Sequence, residues 1–250
     1  MLTRGIVLRV SPVGESDRLV TILTEKAGVV RAFARNGRAA KSRLVSATQP
    51  FSFARFDLLE RRDGSFVVRE AQPMEIFFAL REDLGRLSLG QYLCELAGAI
   101  APPNEGAGQF LRLLAKALHV LCKAPQRPLS VVKAAFEMRG LSLAGYMPDL
   151  IGCIHCRRYD GGVFFFYPEA GELLCESCRA EMHRSGGVAL HAGALMALRH
   201  TVYAQPEKLF AFTLNPESQK ELARASERFV QAQLERSFKT LDFYHQMTET

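Results

Sequence analysis

Cys153 and Cys156 are separated by two residues, as are Cys175 and Cys178, and 18 residues lie between the two pairs. A Cys-x-x-Cys turn presents two thiolates from one tight bend, and two such turns complete the tetrahedral shell that Zn²⁺ prefers. The spacing falls in the zinc-ribbon range. A metal bound this way contributes about 10–16 kcal/mol of apparent folding energy, enough to shape a short segment with little core of its own. Four thiolates leave no open position for water, so the expected site is structural rather than catalytic. A redox dithiol is the competing reading, but the pairs are matched and neither opens a βαβ unit. His155 and His183 flank the cysteines and could each replace one; four thiols suffice, so both are left out of the expected ligand set. Cys94 and Cys122 stand alone in apolar helical patterns. In an intracellular chain of this length, the paired Cys-x-x-Cys turns point to metal binding rather than to a disulfide framework.

The period of the apolar residues changes along the chain. Gly5–Val10, Arg18–Thr24, Gly28–Ala34, Phe51–Leu59 and Ser65–Glu70 alternate or run apolar in short stretches, with turn residues between them such as Asn36-Gly37 and Asp63-Gly64. Five strands in about 80 residues predict a small closed barrel; the OB-fold fits, and an SH3-like barrel fits nearly as well on pattern alone. From about residue 81 the spacing turns helical, with Leu84, Leu87, Tyr92 and Leu96, then Phe110 to Leu121, broken by Pro102-Pro103. Ser130 is expected to cap a third helix running to about Gly140. A short strand is expected over Val163–Tyr167, and helices over 190–203 and 217–238. Asn215-Pro216 opens the last of these, and Leu222, Phe229, Val230 and Phe238 are placed on one face of it. The expected class is therefore α+β: residues 1–80 an OB-type nucleic-acid-binding barrel, residues 81–250 a helical domain, and a four-cysteine zinc-ribbon-like module inserted at about 146–185.

The net charge of +6 is unevenly spread. Residues 1–62 hold 12 Lys and Arg against 5 Asp and Glu, a balance of +7, so the remainder sums to −1. Arg31, Arg35, Arg38, Lys41 and Arg43 follow one another with no acid among them. Clustered unopposed cations suit a polyanion, because each neutralised phosphate releases condensed counterions. These five are the candidate DNA-binding residues. Arg31, Phe33 and Arg35 share one face of a strand, and Phe51 and Phe53 share a face of another. Single-strand binders use such rings as platforms on which bases stack, but here the aromatic rings are expected to fill the barrel interior, which needs large side chains.

Phosphate-cradling, nucleophile-elbow and His-Glu-x-x-His motifs are absent, so no catalytic residue is assigned. Glu15 and Asp17, in Gly14-Glu15-Ser16-Asp17, read as a turn entering a strand. Ile6-Val7-Leu8 is too short for a signal-peptide core and Arg9 interrupts it, so a cytoplasmic protein is expected. The rival readings are an interaction adaptor with incidental DNA binding, a zinc enzyme with an open metal site, and a sequence-specific zinc-ribbon transcription factor.

Longer ordered motifs resemble the RecO family over nearly the whole chain. They are Val7-Leu8-Arg9 with Gly14-Glu15-Ser16-Asp17-Arg18-Leu19-Val20-Thr21, Gly37-Arg38 with Lys41-Ser42-Arg43, and Gln49-Pro50-Phe51. Phe136-Glu137 and Leu143-Ala144-Gly145-Tyr146-Met147-Pro148-Asp149-Leu150 then lead into Cys153, and Tyr167-Pro168-Glu169-Ala170-Gly171 leads to Leu174-Cys175. Arg157 departs from the pattern, where similar proteins often carry Gly. The resemblance implies an OB-fold, a helical domain and an inserted zinc module. It further implies a recombination mediator that binds single- and double-stranded DNA and anneals complementary strands. Such a protein acts with RecR, and helps load RecA onto strands coated by single-strand-binding protein, whose acidic C-terminal tail would dock on the helical domain. A location at the bacterial nucleoid is implied as well.

Overall fold

The computed structural model describes residues 1–39, 41–103 and 105–248. Five strands, β1 (Leu2–Val13), β2 (Asp17–Thr24), β3 (Gly28–Ala34), β4 (Ser52–Glu60) and β5 (Phe66–Ile76), close into a barrel in the order β1-β2-β3-β5-β4. All pairings are antiparallel except β3 with β5, where only Ala32↔Phe66 and Phe33↔Val67 meet in parallel. That Greek-key closure makes it the OB-type barrel expected. The β2–β3 turn is stitched by Thr24, whose hydroxyl donates to the Gly28 carbonyl and accepts from the Ala27 N–H. Gly28 has φ +60°, and a Cβ there would lie 2.0 Å from the Pro102 carbonyl oxygen, so this position admits only glycine.

The barrel interior is built from one alternate set of each strand: Val20 and Ile22, Val30, Ala32 and Ala34, then Ala54, Phe56 and Leu58. Because period two sends neighbours to opposite faces, the other set points outward. This overturns the expectation that the strand phenylalanines fill the barrel. Phe56 does so, but Phe33 and Phe53 lie on the outer face and are only half-buried. Phe51 has φ +64° and ends before β4 begins, so it shares no strand face with Phe53. Its ring packs instead beside Gly90 of helix α1 (Leu84–Ile100).

Two compact units divide the chain: Met1–Pro125 together with the C-terminal segment from Phe238, and Gln126–Ser237. The first holds the barrel, α1, α2 (Gly108–Lys123) and α7 (Lys239–Thr248). Asp83 caps α1 by accepting the Arg86 N–H. Phe238 packs edge-on against Tyr92, centroids 5.8 Å apart.

The second unit contains α3 (Leu129–Leu143), strands β6 (Asp149–Cys153), β7 (Phe164–Tyr167), β8 (Glu172–Cys175) and β9 (Val188–Leu190), and helices α4 (Glu176–Glu181), α5 (Ala192–Tyr203) and α6 (Pro216–Leu234). Helix α3 starts one residue before Ser130, with Pro128 as its cap residue: the Val131 and Val132 N–H groups both go to the Pro128 carbonyl, so Ser130 is not the cap. Asn215 does cap α6, accepting the Ser218 N–H. Glu235, at φ +49°, ends that helix, which removes Phe238 from its face. Between α3 and α6 lies a buried charged cluster. Lys133 Nζ sits 2.9 Å from Glu137 and 2.8 Å from Glu227, and Ser226 Oγ donates to Glu137 at 2.6 Å.

Candidate functional site

The cysteine region folds as a four-stranded sheet in the order β6-β8-β7-β9, of which only the β7 strand was legible as a strand in the sequence. Parallel pairing of β6 with β8 brings Cys153 beside Leu173, and antiparallel pairing of β7 with β8 sets Phe164 opposite Cys175. Cys153 and Cys175 each end a strand, and Cys178 lies in the first turn of α4. The first knuckle is closed by Cys153 N–H to the Arg158 carbonyl (2.8 Å) and Arg157 N–H to the Cys153 carbonyl (2.9 Å). A Cβ at Gly152 would meet the Arg158 carbonyl oxygen at 2.9 Å, so the turn needs glycine before its first cysteine. Arg157 takes φ +61°, a left-handed conformation costing a non-glycine residue about 1–2 kcal/mol. A glycine at this position would carry no such cost.

All four cysteines come together, each Sγ within 4.8 Å of the others. Cys156 Sγ and Cys175 Sγ are 3.7 Å apart. A disulfide would hold them at about 2.05 Å, whereas a tetrahedron with metal–sulfur bonds of about 2.3 Å has edges of about 3.8 Å. The spacing suits a metal and excludes a bridge between these two. Burial opposes charge on Cys153, but backbone N–H groups at Cys156, Cys175 and His155 outweigh it and bring the thiol down to about 6. Burial and the neighbouring sulfurs push Cys178 up. A divalent cation would take the place of the thiol protons, since the ligands bind as thiolates. His155 joins Cys178 and Glu181 in a second grouping that shares one cysteine. The four thiols alone fill a tetrahedral shell.

Arg199 of α5 is a residue that sequence reasoning passed over. Its guanidinium, almost wholly buried, donates to the carbonyls of Leu150 (2.7 Å), Ile151 (3.3 Å) and Tyr159 (2.6 Å), and lies 3.9 Å from the Tyr159 ring centroid. It clamps the strand entering the first knuckle and the loop leaving it. An arginine on a helix face carries no sign of such a role until the fold brings those carbonyls to it.

The five candidate cations sit on the barrel. Arg31 projects from the outer face of β3, Arg35 follows the strand, and Arg38, Lys41 and Arg43 lie in the turns leading to β4. All five are exposed, and among the described residues none is in an ion pair. The turns are held from beneath. Asp17 accepts the Asn36 N–H (2.7 Å), the Arg38 N–H reaches the Ser16 carbonyl (2.8 Å), and Arg18 donates to the Val45 carbonyl and to Thr48 Oγ1, both at 3.1 Å. Glu15 lies in the turn and Asp17 is the first residue of β2, as a turn entering a strand requires. Burial, then the Arg38 charge, lowers the Arg18 pKa below the usual arginine range. Arg18 is a second residue whose supporting role was not legible beforehand. No helix among the described residues is long and apolar enough to cross a membrane.

Comparison with known proteins agrees with this architecture. Residues 1–77 match the family model for the recombination protein O N terminus, and residues 81–242 match the model for its C terminus. A DNA repair protein RecO from Acetivibrio thermocellus is 31% identical over 243 residues, covering 96% of this chain and 94% of that one. One from Symbiobacterium thermophilum is 33% identical over 243 residues with the same coverage. One from Anaeromyxobacter dehalogenans is 37% identical over 196 residues, covering 78% of this chain and 76% of that one.

Proposed function

The chain belongs to the RecO family of DNA repair proteins, and from that membership we propose that it is a recombination mediator that binds single- and double-stranded DNA and anneals complementary strands. The observation that carries this reading is the run of exposed cations Arg31, Arg35, Arg38, Lys41 and Arg43 on and after β3, none of them in an ion pair among the described residues. These side chains neutralise phosphates along one side of the barrel and release counterions. Two strands held there repel each other less, and base pairing supplies the free energy of annealing with no nucleotide hydrolysed. The work assigned to the protein is positioning and charge neutralisation, and no catalytic residue is assigned to it.

In this reading residues 1–80 form the nucleic-acid-binding domain and residues 81–250 the helical domain that receives protein partners. Those partners are RecR and the acidic C-terminal tail of single-strand-binding protein, with RecA loaded indirectly onto the coated strand, in the cytoplasm at the nucleoid. Cys153, Cys156, Cys175 and Cys178 would hold one Zn²⁺, which would tie the two knuckles together and keep the module folded. The spacing of the four sulfurs supports that assignment. Arg199 keeps the first knuckle in place from α5.

The test is annealing of two labelled complementary strands, each precoated with single-strand-binding protein, without ATP. Rapid annealing that fades steeply with added salt supports the mediator reading. Annealing of naked strands only restricts the protein to DNA binding, and no annealing at all removes the reading.

A further inference from the structure

Phe33 is on the outside of the barrel, whereas its neighbours Ala32 and Ala34 are fully buried in the core. Strand register puts Phe33 in a row. It pairs with Leu19 on β2 and with Val67 on β5, and Val67 pairs with Leu59 on β4. All four point outward, and Leu59 is 50% exposed. An apolar row thus crosses four strands on the solvent side of a small barrel. Two residues away along β3, on the same face, stands Arg31, which pairs with Thr21, itself paired with Arg9. A cation-bearing row therefore runs beside the apolar one, about 7 Å away along the strands. Arg61 stands over the Phe33 ring, its guanidinium carbon 5.5 Å from the centroid.

Beside β3 this surface sinks into a groove of about 500 Å³, lined by Leu19, Val29, Arg31, Phe33 and the Asp63–Ser65 turn. The β3–β5 seam is paired at only two positions, which leaves the groove open along the start of β3. One acid lines it. Asp63 accepts from both the N–H (3.0 Å) and the hydroxyl (2.7 Å) of Ser65, and those two bonds lower its carboxyl pKa. Its charge is thereby tied into the turn, and the side chains facing a ligand are an aromatic ring and arginines.

Resting on the DNA-binding reading above, we propose that Phe33 is a base-stacking platform for single-stranded DNA. One nucleobase lies on the ring in the place the Arg61 guanidinium now holds, with Arg31 and the displaced Arg61 on the adjoining phosphates. The chemistry matches the occupant: a flat π-face beside cations suits an unpaired base with its phosphates, and stacking accepts any base because every base has a π-face. A duplex keeps its bases stacked on one another and meets only the cations. The same face therefore binds the two forms differently.

The chain has no tryptophan, so Phe33→Trp introduces a single indole at the platform. Binding of oligothymidylate to full-length Phe33→Trp quenches its fluorescence, and a duplex of equal length at equal occupancy does not, with occupancy followed by anisotropy of labelled DNA. Phe33→Leu keeps the apolar row but lacks the π-face, and weakens single-strand binding about tenfold while duplex affinity and the salt slope stay as in wild type. Circular dichroism of both variants checks the fold. Single-strand binding without quenching, or a Phe33→Leu protein that binds single strands as tightly as wild type, overturns the platform and leaves the DNA-binding reading standing. Equal losses on single and double strands overturn it too, because that pattern belongs to packing. A wild-type protein that binds neither form of DNA overturns both.

Discussion

Replacing Arg35 and Arg38 together by alanine tests the phosphate interface quantitatively. Both side chains are exposed, neither is in an ion pair among the described residues, and Arg38 makes one side-chain hydrogen bond, a long one of 3.4 Å to the Gly14 carbonyl. The fold should therefore lose little. If all five cations of the run meet phosphates, the logarithm of single-strand affinity falls with the logarithm of salt with a slope of about −3.5, taking about 0.7 per neutralised phosphate. Between 50 and 200 mM salt that is a loss of about a hundredfold. With two cations removed the slope becomes about −2.1 and the loss about twentyfold. The assay is anisotropy of a labelled oligothymidylate titrated at several salt concentrations. A double variant whose slope matches wild type refutes the phosphate role of these two arginines. A changed affinity at every salt with unchanged slope refutes it as well, since the loss would then not be counterion release.

Removing the metal with a chelator, or substituting Cys175→Ser, should unfold the β6–β9 module while the barrel keeps its structure; hydrogen exchange that stays slow across Phe164–Cys175 would contradict this. Arg157→Gly relieves the left-handed φ of +61° and should stabilise the knuckle by about 1 kcal/mol, read as slower metal release to a chelator. Lys133→Met strands Glu137 in the α3–α6 core and should cost about 3–5 kcal/mol in urea unfolding, most of it recovered in Lys133→Met/Glu137→Met; a double variant no better than the single one would sink that account. His191 hydrogen-bonds Glu221, and that bond and the carboxylate charge raise its pKa. The stability this pair contributes is complete below the ordinary histidine value of about 6.5 and is lost as pH rises through the raised one. Thermal unfolding should show that decline and Glu221→Gln should abolish it.

The four-cysteine centre was legible because its chemistry is local: two ligands from one turn, twice, at a spacing that closes. The barrel was legible because alternation and turn residues mark strands without reference to partners. The α6 cap at Asn215 was legible for the same reason. Where the reading went astray, a long-range partner was deciding. Strands β6, β8 and β9 are three to five residues long and too short to show a period, and they exist because β8 pairs with β6 and β7 and β9 pairs with β7.

Phe33 shows the division most clearly. Alternation along β3 states that Val29, Arg31 and Phe33 share a face and that Val30, Ala32 and Ala34 share the other. It does not state which face is inside. Closure of the barrel answers that, because the narrow interior already holds Phe56, Ile22 and Leu58 and takes the small alanines from β3. The ring is thereby turned to solvent beside Arg31 and Arg61. Likewise the chain records that Arg199 and Lys133 are charged, but only packing supplies the carbonyls that surround the one and the carboxylates that surround the other. Spacing along a chain encodes what neighbouring residues can do together; burial depends on surfaces contributed from far away in sequence, and they meet only when the chain has folded.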